Sequence, residues 1–353
     1  MNSKFWANKN VLVTGHTGFK GSWLSLWLQS LGANVSGLSL DPPTNPSLFE
    51  IANVAQGMQS IIGDIRDQSV VDETFKRCKP DIVIHMAAQP LVLYSYDNPV
   101  ETYATNVMGS VHVLEACRKT ESVKSVVMIT TDKCYENKEW YWGYRENEPM
   151  GGYDPYSNSK GCSELVISAY RQSFFSNGDR QLGLASARAG NVIGGGDWAA
   201  DRLIPDFMQA ILIKKPVVIR SPLSIRPWQH VLEPLNGYLK LAESLWGSHV
   251  KFSEGWNFGP DDSDAREVQW IIDHISELWG EGAQWELDKS PRPHEATYLK
   301  LDCSKARMKL GWTPRLSLST TLQWIVEWYK HYRNNSNMRE VTLQEISRYQ
   351  KIL

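Results

Sequence analysis

The stretch GYDPYSNSKG (152–161) sets Tyr156 and Lys160 four positions apart, directly behind a proline. Proline suits the first turn of a helix, and side chains four apart share a helix face. A phenol titrates at about 10 and is a poor base at neutral pH unless a nearby cation favours its phenolate. Lys160 can supply that field and also bond the ribose of a nicotinamide nucleotide. The chemistry expected of this pair is removal of a proton from an alcohol while its hydride passes to NAD.

A second stretch, MITTDKCYE (128–136), offers Thr130, Thr131, Asp132, Lys133 and Tyr135. One threonine hydroxyl can bond the alcohol alongside Tyr156, but Asp132 and Lys133 are surplus to oxidation. Loss of water needs both an acid for the leaving hydroxyl and a base for the adjacent C–H, so the extra pair points to dehydration. The inert alternative is an ion pair in a turn. As a base, Lys133 needs a pKa depressed from about 10.4 by partial burial and the like charge of Lys160. Otherwise it acts as a fixed cation beside an enolate, with Glu136 or water as the base.

These groups require a scaffold, and VTGHTGFKGSWL (13–24) indicates which one. A short β-branched run leads into Gly15, Thr17, Gly18, Phe19 and Gly21, followed by apolar residues at helical spacing that stop at Gly32. Strand, glycine turn and helix form a dinucleotide-binding crossover, with free helix N–H groups facing phosphates. Lys20 either neutralises a pyrophosphate or faces solvent; His16 either bonds a loop carbonyl or approaches the cofactor. Strands are expected at 11–14, 34–40, 59–63, 81–86, 125–130 and 182–188. Helices are expected at 18–31, 68–78 (capped by Asp67), 99–118 (opened by Pro99) and 156–175, with a terminal helix from about Glu340. This alternation predicts an α/β Rossmann fold, a doubly wound parallel sheet. Asp41, 20 positions after Gly21, can bond ribose hydroxyls and repel a 2′-phosphate, favouring NAD. Asp64, Ile65, Ala87 and Ala88 follow strand ends that reach the same crevice.

The expected division is an NAD-binding domain over 1–188, completed by a segment around 226–246, and a smaller C-terminal, mainly substrate-binding domain over 189–353. Asn191, Arg226 and Arg292 are the candidates for a substrate diphosphate, because arginine offers a fork matched to phosphate oxygens. Arg188 and Arg220 are weaker candidates.

The chain has 353 residues, 42% hydrophobic and 22% charged, with a formal net charge of -2. That balance supplies no basic field for nucleic acid. Without an apolar leader or a run of about 18 apolar residues, the expectation is a cytoplasmic protein with no membrane partner. Five scattered cysteines without C-x-x-C spacing predict neither disulfides nor a metal site.

The glycine turn, the Thr-Thr-Asp-x-x-Tyr strand end and Y-x-x-x-K together resemble the extended short-chain dehydrogenase/reductase family. The likeness continues through RAGNVIGGGDW (188–198), RPWQHV (226–231), WNFGP (256–260) and LDCSKARMKLGWTP (301–314). Within that family, GHTGFKGSWL, SLDPPT and TTDKCY resemble the branch that dehydrates sugar nucleotides, and the resemblance implies CDP-D-glucose as the nucleotide-sugar substrate. It further implies oxidation at C4, elimination of water across C5 and C6, and hydride return to C6. The product would be CDP-4-keto-6-deoxy-D-glucose, a precursor of bacterial surface deoxysugars. Lys133 departs from the dTDP-glucose enzymes, which carry glutamate there, so their C5 base does not transfer. The resemblance also implies a homodimer paired through helices 99–118 and 156–175, with a tetramer as the larger alternative. Two rival functions are a 4-epimerase, which leaves Asp132 and Lys133 idle, and a non-catalytic NAD sensor.

Overall fold

The computed structural model describes residues 2–176, 182–219, 221–280, 285–287 and 299–353. Six apolar segments form parallel strands: β1 (Asn10–Thr14), β2 (Asn34–Ser39), β3 (Gln59–Ile62), β4 (Ile82–His85), β5 (Ser125–Ile129) and β6 (Gly183–Arg188). All six lie where the sequence places them. A seventh, β7 (Gly255–Asn257), was not expected, because three residues carry no readable periodicity. The order is β7-β6-β5-β4-β1-β2-β3, and it reverses direction between β1 and β4, the crevice where doubly wound sheets bind ligands.

Both faces of the sheet are covered, which explains why the central strands are apolar throughout. Leu12, Val83, Val126 and Met128 enter one core with Val71 and Phe75 of α2 (Gln68–Cys78) and Val113 and Leu114 of α3 (Gly109–Lys119). Their neighbours Val11, Val13, Ile82, Ile84, Val127 and Ile129 enter the opposite core with Trp23 and Trp27 of α1 (Phe19–Ser30). That second core continues into the C-terminal half through Phe207 of α5 (Leu203–Leu212), Leu235 of α6 (Leu232–Gly247) and Trp328 of α7 (Leu318–Arg333).

Helix starts follow their capping chemistry. The Asp67 carboxylate accepts from the Ser69 and Val70 amides, and Asp154 caps α4 (Pro155–Tyr170) by accepting from the Ser157 amide at 2.9 Å. The 99–118 segment opens at Pro99 but passes through a π-turn at Ala104–Met108 before α3, and α4 runs on into another at Arg171–Phe175. The terminal helix is α8 (Met338–Gln350), fixed by Tyr349 donating to the Glu233 carboxylate at 2.7 Å. Among the described residues, no helix is long and apolar enough to cross a membrane.

Candidate active site

Gly15 leaves β1 at φ +77°, and a side chain on it would stand 2.7 Å from the Ala87 amide. A methyl on Gly21 would strike the Gly15 carbonyl, so the turn, the end of β4 and α1 interlock only as glycines. Gly18 differs. It caps α1, and a side chain there would meet nothing nearer than the Gly15 oxygen at 3.4 Å, so its backbone remains approachable from the crevice. That approach, with the free N–H groups of a three-turn helix behind it, fits a pyrophosphate. The Thr17 hydroxyl ties the turn to the end of β2 through Ser39 (2.7 Å) and the Leu40 carbonyl (2.9 Å), setting Asp41 exposed at the rim. The ten residues expected around the cofactor apart from Tyr156 and Lys160, namely Gly15, Thr17, Gly18, Phe19, Gly21, Asp41, Asp64, Ile65, Ala87 and Ala88, all line one cavity of about 390 Å³. Against the upward push of partial burial, hydrogen bonds from Arg66 hold the Asp64 carboxyl below its ordinary range.

The end of β5 divides the hydrogen bonds of its two threonines. Both line the second cavity, but Thr130 donates to Glu164 at 2.5 Å and Thr131 to Asp132 at 2.9 Å. Asp132 is only 3% exposed, and its carboxylate fills the volume that a side chain on residue 190 would need; Gly190 leaves that volume open. Tyr156 lines the same cavity as Thr131. Burial pushes its phenol up to about 12, the Thr131 hydroxyl opposes this, the Asp132 charge adds to it and Arg202 draws it down. Lys160 is buried one helical turn along α4, where burial lowers it to about 8 against the charge of Glu164. It lines neither cavity.

Thr131, Asp132, Lys133 and Tyr156 meet Asn191 and Arg226 around a second cavity of about 370 Å³. Arg220 and Arg292 lie outside the described residues. Lys133 is exposed and pairs with no carboxylate among the described residues, so the ion pair considered from sequence does not form. The partial burial that would make Lys133 a base is likewise absent: the residue lines the cavity but is exposed. Arg188 proves to be internal: its guanidinium grips the Glu164 carboxylate at 2.7 and 2.9 Å and donates to Tyr135, fastening β6 to α4.

The two cavities share a wall made of Phe19, Lys20, Pro90, Asp197 and Arg202. The Lys20 ammonium stands 5.8 Å from the centre of the Tyr238 ring, lowered to about 8 by burial, then by Arg202 and Lys160. His16 faces away from the crevice. Its ring occupies the volume above Gly37, Nε2 lies 2.7 Å from the Ser60 hydroxyl, and burial lowers it to about 4, leaving it neutral. Sequence reasoning missed Arg202, which pairs with Asp197 at 3.1 Å. Its only signal was position, immediately before the apolar Leu-Ile-Pro helix start.

A glycine cradle opening beside a tyrosine, a threonine and an acid is the layout of a nucleotide-dependent sugar enzyme. The family model described as GDP-mannose 4,6 dehydratase matches residues 12–325. The chain belongs to that family. It is 59% identical to the CDP-glucose 4,6-dehydratase of Salmonella typhimurium, over 99% of this chain and 98% of that protein. It is 26% identical to the dTDP-glucose 4,6-dehydratase of Haemophilus influenzae, over 91% and 97% of the two chains. Among solved structures, the UDP-glucose 4-epimerase of Thermus thermophilus in complex with NAD superposes with a TM-score of 0.77 at 26% identity, covering 91% of this chain and 98% of that one. One fold thus hosts both dehydration and epimerisation, and the side chains must discriminate between them.

Proposed function

We propose that this chain is an NAD-dependent CDP-glucose 4,6-dehydratase that forms CDP-4-keto-6-deoxy-D-glucose. The observation that carries the reaction type is the buried Asp132 carboxylate set beside Tyr156 and Thr131 on the same cavity, a group that epimerisation does not need. The 59% identity to a CDP-glucose enzyme supports the choice of sugar nucleotide. The cofactor cradle is assigned to NAD: Gly15, Gly18 and Gly21 at the pyrophosphate, and Asp41 at the adenosine ribose, where its charge opposes a 2′-phosphate. When bound, NAD supplies the hydride acceptor at C4 and the hydride donor at C6. Tyr156 accepts the O4 proton, aided by Lys160. The 4-keto group then acidifies C5–H, and Asp132 protonates the C6 hydroxyl so that it leaves as water. Lys133 acts at C5. Exposed as it stands, it serves as the cation that steadies the enolate, and it becomes a base only when the sugar covers it. Asn191 and Arg226 are assigned to the diphosphate, together with Arg292.

Residues 1–188, with α6 and β7 returning to the sheet, form the cofactor half in this reading, and most of 189–353 forms the substrate half. A cytoplasmic homodimer is proposed on the same basis: Val100, Met108, Leu165 and Phe174 are exposed apolar residues on the two long helical segments expected to pair. Sedimentation at micromolar concentration showing only monomer would refute the dimer. The function is tested by incubating the protein with NAD and CDP-, dTDP- and GDP-hexoses, using mass spectrometry for loss of water and alkaline absorbance for the 4-keto product. Dehydration of CDP-glucose above the others is expected; an isomeric product of unchanged mass would establish epimerisation instead.

A further inference from the structure

We infer that the C-terminal helix α8 is a positioning element of the substrate cavity: Glu345 and Tyr349 hold His230 and Glu233 at the root of the segment that presents Arg226 to the sugar nucleotide. The inference rests on the reading of that cavity as the substrate site. α8 lies beyond residue 325, where the match to the family ends, so its buried face needs a reason of its own. A helix that only covers a core buries an apolar stripe. The buried stripe of α8 consists of Met338, Thr342, Glu345, Ile346 and Tyr349, and Thr342, Glu345 and Tyr349 bring polar atoms into it.

Each of these three meets a group in residues 189–353. The Thr342 hydroxyl accepts from the Trp328 indole at 3.2 Å. Tyr349 gives a further donor to Glu233, whose carboxylate is buried and also accepts from the Arg315 and Leu316 amides at 2.8 and 2.7 Å. Glu345 Oε1 stands 3.0 Å from His230 Nε2, and neither atom bonds any other group among the described residues. His230 is fully buried and its Nδ1 accepts from the Leu232 amide at 3.3 Å, so the ring proton lies on Nε2, the nitrogen beside the glutamate. On its other side α8 is fixed to the cofactor half by Arg339, which donates to Gln29 of α1 and to the carbonyls of Asn53 and Gln56.

His230 and Glu233 end a short rail that leads into the substrate cavity. Gln229 and His230 pair in parallel with Val192 and Ile193, and the Gln229 amide donates to the Asn191 carbonyl at 3.2 Å. The Gln229 side chain donates to the Gly190 carbonyl at 3.2 Å. Arg226, Trp228 and Asn191 line the cavity. A shift at residue 230 therefore moves the backbone that aims Arg226 and Asn191, whereas the glycine turn of the cofactor cavity is seated against the end of β4 and is held independently.

The test is Glu345→Leu, which keeps the bulk and removes the acceptor, beside Glu345→Gln, which restores an oxygen, and the milder Tyr349→Phe. For Glu345→Leu, the KM for CDP-glucose and the Kd for CDP by calorimetry should rise about tenfold, because a buried donor loses its partner. NAD affinity and the formation of reduced nicotinamide at saturating CDP-glucose should stay close to parental. Glu345→Gln should recover most of the loss. Tyr349→Phe should show the same split at smaller size, and it carries the test where Glu345→Leu does not fold. Weakening of NAD and CDP by the same factor would overturn the inference, as would a lower rate and melting temperature with KM unchanged; α8 would then be packing alone. A parental KM in Glu345→Leu and Tyr349→Phe would overturn it as well. Failure of the parent protein to bind CDP or to dehydrate CDP-glucose would strike the functional reading itself, which keeps the two failures apart.

Discussion

Replacing Gly190 with alanine should disable the proposed acid while sparing the fold. A methyl at this position would overlap Cγ and both oxygens of Asp132. Non-bonded carbon contacts settle at about 3.5 Å or more, and the methyl would stand 2.0 Å from Cγ, so the carboxylate must retreat by roughly 1.5 Å. Gly190 is not in the left-handed region, so alanine imposes no backbone strain, and the atoms in conflict are the free end of a side chain that can swing aside. Asp132 would lose its 2.9 Å bond from Thr131 and its aim into the cavity. A misplacement of about 1 Å can cost about 10²-fold in rate. In single turnover, reduced nicotinamide should appear near the parental rate and then persist, with product forming about 10²-fold more slowly and the melting temperature little changed. Adding Asp132→Asn to Gly190→Ala should cost little beyond Asp132→Asn alone, because both act on one group. Parental product formation by Gly190→Ala, or loss of the initial oxidation with elimination intact, would refute the assignment.

Tyr156→Phe should abolish the oxidation while leaving nucleotide binding measurable by calorimetry, since it removes the proton acceptor and little volume. Asp41→Ala should narrow the preference for NAD over NADP; equal binding of both by the parent protein would show that Asp41 is not at the ribose. For Lys133→Met in deuterated water, loss of C5 exchange despite normal formation of reduced nicotinamide is the expected result, and normal exchange with normal dehydration would remove Lys133 from the mechanism. Burial lowers Lys20 and Lys160 to about 8 from 10.5, so the folded protein binds fewer protons than the unfolded chain between those values. Their contribution to stability should therefore rise with pH across that window, while activity falls above pH 8 as Lys160 loses the charge that supports the phenolate. Denaturant titrations and rate profiles from pH 7 to 10 would show whether the two trends oppose each other.

The parts of the site legible in the sequence were those held by local geometry. The glycine turn follows from steric demands within a few residues, Tyr156 and Lys160 from helical periodicity, and the central strands β1, β4 and β5 from largely β-branched runs that are buried almost throughout. Residues whose meaning depends on distant partners were harder to read. Arg202 gains its place only because α5 brings it to the wall between the cavities, opposite Lys20. The same limit explains β7, whose three residues form a strand because the edge of β6 is available to them. Nor could sequence distinguish Thr130 from Thr131, adjacent and chemically alike, until the pleat sent one to Glu164 and the other to Asp132. The burial that base action by Lys133 requires could not be read from sequence either: Lys133 is exposed while the adjacent Asp132 is buried.

The His16 ring, seated where Gly37 has no side chain, makes two residues from different elements a single unit of heredity. A larger residue at 37 would evict the imidazole towards the nucleotide turn, whereas glycine at 16 would leave a void above β2 that a side chain at 37 could fill. Either change alone passes through a less stable protein, and the pair together need not, so the histidine in this glycine turn should persist or disappear across descendants in step with the glycine on the neighbouring strand.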